Sequence, residues 1–199
     1  MRHYFYLRLG STLALFALLL AAGCKKDDCA APGQDFIPDE VLDEIRANGQ
    51  VLYSGTNPPR LSGSYRISPL NLVSSNFDDF LIPGHTFEDE RVTFSNFNRD
   101  DLTLLVAFEQ ANTMGQEYGS FISGSGDRFT IYVRIESEDT EGHTTLITKV
   151  YSGIVADDGI RDMQQSLFMV DDRGDPNNAY IENGQGRLVE DGDGFSEAF

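Results

Sequence analysis

From residue 102 onward, apolar and polar positions alternate. Leu102, Leu104, Val106 and Phe108 share one face of an extended chain. Phe129, Ile131, Val133 and Ile135 do the same, with Thr130, Tyr132 and Arg134 opposite. A period of two marks a strand with one face in a core. Weaker runs of the same kind lie at 63–67, 70–74, 91–94, 144–155, 165–170, 179–182 and 186–190. One stretch has a different period. Between Asp39 and Asn48, Val41, Leu42 and Ile45 fall on one helical face. Pro38 suits the first turn, Asp39, Glu40 and Asp43 oppose the positive end of the dipole, and Asn48-Gly49 makes a stop. About ten residues of helix are marginal alone, so this one must dock on something.

Turn chemistry separates the strands. Ser123-Gly124-Ser125-Gly126-Asp127, Asp158-Gly159, Arg173-Gly174-Asp175-Pro176 and Asn183-Gly184 punctuate the chain. Strands joined by short turns form an antiparallel meander, and such a sheet must close or stack to bury its apolar face. The expectation is an all-β domain. Its meander closes as an up-and-down barrel carrying one short N-terminal helix, with a two-sheet sandwich as the alternative.

The first residues do not belong to this pattern. Arg2, His3 and Arg8 precede an unbroken apolar run from Leu13 to Ala22. Ten helical residues cover about half of a roughly 30 Å hydrocarbon core, too little for a stable span. Small residues and a cysteine follow, Leu20-Ala21-Ala22-Gly23-Cys24. This stretch resembles the signal segment and lipobox of bacterial lipoproteins, departing from the usual pattern at Ala21, where leucine is commonest. The resemblance implies cleavage after Gly23 and attachment of acyl chains, palmitate among them, to Cys24. Two or more such chains hold a protein stably on a membrane. The Lys25-Lys26-Asp27-Asp28 run is similar to the acidic signals of lipoproteins exported to the outer face of Gram-negative outer membranes. The expected organisation is a signal at 1–23, a lipidated tether at 24–35 and a single β-rich domain at 36–199.

Charge narrows the choice of partners. The net charge is −17. Arg2 and Arg8 are the charged side chains of 1–23, so processing would leave −19. Such a surface repels a phosphate backbone, which argues against nucleic acid, and attracts cations. The cysteines are Cys24 and Cys29. With Cys24 acylated no internal disulfide can form, and the fold rests on its core.

Candidate chemistry is sparse. Asp171, Asp172 and Asp175 crowd one glycine-containing turn, and calcium takes six to eight oxygens. Calcium is therefore the one cofactor considered, although Asp and Gly are equally the residues of plain turns. Glu190-Asp191-Gly192-Asp193-Gly194 repeats the composition, but neither cluster fits the twelve-residue calcium loop. No Gly-x-Ser-x-Gly elbow occurs, and His85 and His143 follow glycines as loop-tip residues do. No catalytic residue is assigned. The expected function is non-enzymatic binding of a small or apolar ligand by a cell-envelope lipoprotein. The alternatives are a glycan- or protein-binding surface and a hydrolase acting on an extracellular polymer.

Overall fold

The computed structural model describes residues 37–111, 113–175 and 178–199. The signal segment, Cys24 and the tether lie outside them. Among the described residues one helix, α1 (Asp39–Ala47), precedes a single large sheet. The strands are β1 (Thr56–Asn57), β2 (Gly63–Ile67), β3 (Leu70–Ser75), β4 (Thr86–Phe87), β5 (Glu90–Asn98) and β6 (Thr103–Gln110). There follow β7 (Thr113–Ser125), β8 (Arg128–Asp139), β9 (Thr144–Ala156), β10 (Gly159–Asp171), β11 (Gly186–Asp191) and β12 (Phe195–Ala198).

Strands β5 to β10 run up and down as a continuous antiparallel meander. The all-β expectation holds, and the sheet closes on itself rather than stacking as two. Closure depends on a division within β10. Its first residues pair with β12, Ile160 opposite Ser196. Beyond an irregularity between Arg161 and Gln164, its later residues pair with β11, Ser166 opposite Leu188. Asp162 has a φ of 50° inside that irregularity. Strand β12 also pairs with β2, and β2 with β5. The result is a ring of eight strands, β12-β2-β5-β6-β7-β8-β9-β10. Strands β11, β3 and β4 leave the ring at the division of β10 as a separate arm.

The alternation in β8 places Ile131, Val133 and Ile135 inside the ring, fully buried. The opposite face is not a solvent face: Thr130 and Tyr132 are buried too. Two elements cover them. Helix α1 buries Leu42 and Ile45, and residues 48–53 are stitched across the outer face of β8, β9 and β10. Gln50 Nε2 donates to the Val150 carbonyl (2.8 Å), the Val51 amide donates to Gln164 Oε1 (2.9 Å), and the Tyr53 amide donates to Thr130 Oγ1 (2.6 Å). Each fully buried Leu or Ile contributes roughly 1.5–3 kcal/mol. The helix therefore docks on the sheet, as a nine-residue helix must.

Inside the ring, one end is filled by aromatic rings. Phe94 meets Tyr65 (5.8 Å between centroids), Tyr151 (5.8 Å) and Phe129 (6.3 Å). The other end, where the arm diverges, is not filled.

Candidate functional site

A cavity of about 670 Å³ occupies that unfilled end, between the ring and the arm. Its apolar lining comes from inward positions of the ring, Phe108, Ile147, Leu167 and Met169, and from the arm, Phe87 and Val189. Period two explains why those residues meet: Leu167 lies opposite Lys149 and Met169 opposite Ile147, all on the inner face. Ser137, Thr145 and Gln165 place polar atoms in the same lining.

Two segments stand over the mouth. The first is residues 76–85, between β3 and β4. It is fastened by Asp79, whose carboxylate accepts two hydrogen bonds from Arg187 on β11, from Nε at 2.6 Å and from Nη2 at 3.1 Å. Ser75 Oγ and the Leu81 amide donate to the same carboxylate. These donors, Arg187 foremost, hold Asp79 down at about 2. The Arg187 guanidinium lies near the rings of Phe77 (5.3 Å) and Phe87 (6.0 Å). Phe77, Phe80 and Leu81 border the cavity, Phe80 while 89% exposed, and Ile82, outside the lining, is 73% exposed.

The second segment lies between β10 and β11 and contributes residues 178–182 to the lining. The run 179–182 is not the strand that its alternation suggests. It is an irregular stretch held by side-chain bonds, among them Tyr180 O–H donating to Asp139 Oδ2 at 2.5 Å across the mouth. Asp139 also accepts from the Glu141 and His143 amides at the tip of the β8–β9 hairpin. The Tyr180 bond leads in holding Asp139 at about 2, while burial and then that carboxylate raise Tyr180 to about 12. At neutral pH the pair is a carboxylate and a phenol, a fixed clasp with no proton to exchange.

Beneath the cavity is a charged group that sequence reading passed over. Lys149 Nζ lies 2.5 Å from Glu90 Oε2, and Tyr151 O–H donates to Glu90 Oε1 at 2.9 Å. All three side chains are fully buried. Lys149 Nζ also sits 3.7 Å from the centroid of Phe108, a cation over a ring face. Phe108 can lie inward there because Gly115 is its cross-strand partner. A Cβ at Gly115 would come within 2.1 Å of the Phe108 ring and 2.5 Å of Ile135. Burial pushes the Lys149 ammonium down against the support of Glu90, and burial followed by Glu90 pushes the Tyr151 phenol well up. The signal for this group was the inward phase of β9: Thr145, Ile147, Lys149 and Tyr151 occupy alternate positions.

The acidic turn at 171–175 is arranged differently. Asp171 Oδ1 accepts the Arg173 amide, Asp172 Oδ1 the Gly174 amide and Asp175 Oδ2 the Tyr180 amide, at 2.8–2.9 Å. Asp171 and Asp172 thus cap their own turn, and Asp175 ties down the segment that follows it. Among the described residues no group of three or more His, Cys, Asp or Glu side chains is placed to hold a metal ion. The second cluster is likewise engaged with its own chain, Asp191 Oδ2 accepting from Ser196 Oγ at 2.6 Å. His143 Nδ1 lies 3.3 Å from Asp139, and His85 packs edge-on against Phe87.

No protein-family model, no curated protein and no solved structure matches this chain.

Proposed function

We propose that the chain is a cell-envelope lipoprotein, anchored through Cys24, whose β-domain takes up a small apolar molecule in the open end of its ring. The observation that carries the binding half is the cavity itself. Ligand sites are concave, mostly apolar and of roughly 300–1,000 Å³, with a few placed polar groups, and this one is about 670 Å³. Two fastened segments at its mouth support the same reading, since they shape an entrance without filling it. The anchoring half rests on the order of basic end, apolar run, small residues and cysteine in residues 1–24. Neither half requires catalysis.

N-phenyl-1-naphthylamine, an uncharged dye that brightens in apolar surroundings, tests the binding half. It should titrate to one equivalent, and Leu167→Trp, which places an indole in the cavity, should reduce its affinity at least tenfold. Unchanged binding in that variant, with an unchanged melting temperature, would put the dye elsewhere and remove the argument.

A protein-binding surface is the second reading, and one observation favours it. Phe80 and Ile82, two residues apart on the 76–85 segment, are both largely exposed to solvent. Ile82→Ser should leave dye affinity unchanged if this side chain serves a surface rather than the cavity.

A further inference from the structure

We infer that the open end of the ring is a membrane-docking surface. Phe80, Ile82, Met114 and Val170, around the cavity mouth, enter the interface of the bilayer that holds Cys24, and the cavity then opens onto lipid. This rests on the lipid-anchor reading, and it adds the face that the domain turns to the membrane.

The first argument is where the apolar surface lies. Among the described residues seven large apolar side chains stand exposed, and four of them gather at the cavity. Phe80 borders it directly, and Ile82, Met114 and Val170 each follow a lining residue, Leu81, Thr113 and Met169. The other three, Val51, Leu105 and Phe199, have no such neighbour. The meander sets the start of β7 and the end of β10 at the same end of the ring, so Met114 and Val170 belong to one rim. Met114 is 64% exposed, since the inward place beside it is taken by Gly115 under Phe108. Exposed apolar groups collected round an apolar opening mark an interaction surface.

The second argument chooses the occupant. Residues 24–36 link Cys24 to the described domain and extend to at most about 45 Å. A domain of this size is about 40 Å across. The tether is thus long enough to let the mouth meet the bilayer and short enough to keep the domain beside it. At that effective concentration, a few interfacial side chains suffice for docking that a free protein would not achieve. Charge selects the headgroup. Asp78, Glu88 and Glu182 line the same mouth on a chain of net charge −17, so the rim fits a zwitterionic surface and is repelled by an anionic one. A protein partner would use Phe80 and Ile82 as well, but it gives no reason for the apolar residues to ring the cavity. A docked mouth would let an apolar molecule pass between bilayer and cavity without crossing water.

The acylated chain, carrying Cys29→Ser and reconstituted in phosphatidylcholine vesicles, tests this with a polarity-sensitive nitrobenzoxadiazole label on Ile82→Cys or, as control, on Leu105→Cys. Vesicles should brighten the label at 82 several-fold and shift its emission to shorter wavelength, and leave the label at 105 as it is in water. Phe80→Ser/Met114→Ser, added to the Ile82→Cys chain, should return its label most of the way to the emission in water. Replacing part of the lipid with phosphatidylglycerol should weaken the signal at 82, and salt should restore it. A label at 82 that stays in water overturns the proposal and leaves Phe80 and Ile82 to a protein partner. Equal brightening at 82 and 105, or brightening that survives the double serine variant, overturns the rim as the docking face. Insertion as strong in the anionic bilayer overturns the headgroup preference. A chain that does not float with vesicles removes the anchor and this proposal with it, whereas one that floats with its rim in water removes this proposal alone.

Discussion

Lys149 is the residue whose loss should cost most. Its ammonium is buried against Glu90, and removing one partner of a buried pair leaves the other charge unpaired in a low dielectric. Lys149→Met should therefore lower stability by about 3–5 kcal/mol in a urea titration. Replacing both charges, Lys149→Met with Glu90→Gln, should recover much of that loss, because no unpaired ion then remains. A double variant as unstable as the single would show that the ammonium matters for something other than neutralising Glu90. Gly115 is a second sensitive position. Its missing Cβ is the space that Phe108 and Ile135 occupy, so Gly115→Ala should destabilise by about 1–3 kcal/mol through overpacking. It should also shift the ring under the cavity and change dye affinity. An alanine variant that melts with the wild type would mean that Phe108 moves freely.

At the scale of elements, the segments over the mouth depend on carboxylates with lowered pKa. Asp79 titrates at about 2 in the folded chain against an ordinary 3.8. A depressed value means that its contribution is complete above about pH 4 and is lost as pH falls through 2. Asp139 behaves in the same direction. Neither segment should loosen between pH 8 and pH 5. Asp79→Asn should loosen residues 76–85 throughout the range from pH 5 to pH 8, since it weakens the charge-assisted pair with Arg187. Limited proteolysis should then cut within 76–85 at least several-fold faster than in the wild type, while β5 to β10 remain protected. Equal cutting rates would mean that the backbone bonds of Gly84 and Leu72 hold the segment without Asp79. Much of this architecture was legible in the chain. The strands at 63–67 and 129–135 and the helix after Pro38 announced themselves by period, because one periodic face of each is packed. The first half of β7 did not: Gly115, Gln116 and Gly119 carry no apolar alternation, and partners on both sides hold that strand in place. The run 179–182 misled for the opposite reason. Its alternation is real, but its backbone is held by Tyr180 and Asp175 and not by a neighbouring strand. The cavity was not legible, since it arises where β10 changes partners, and no local pattern encodes that.

For the molecule as a whole, two expectations concern placement and closure. Cys24→Ser should abolish incorporation of labelled palmitate and processing after Gly23; a variant labelled like the wild type would refute the anchor. Closure should depend on pH through Asp191, which sits where β11 and β12 separate and binds Ser196 of β12. Burial leads in raising its pKa to about 6, and nearby Asp193 adds to the effect. A raised acid favours the folded chain below its unfolded value near 3.8, and that advantage is lost as pH rises through 6. Asp191→Asn should thus melt a few degrees above the wild type at pH 8 and together with it at pH 4. A constant offset at both values would assign the effect to packing.

The short strand β12 has a consequence for the order of assembly. Its residues 195–198 bridge β2 and β10, so the ring is closed only when Glu197 has found Arg66, its partner far back along the chain. Until that moment β2 and the first turn of β10 are bare edges, with unpaired amides open to any other extended chain. Contacts so distant in sequence form slowly, because the intervening chain must be ordered before they repay it. The interval before closure is when two copies of this protein are most apt to pair wrongly. The strong like charge on every copy, irrelevant to the shape of the ring, keeps those unfinished edges apart.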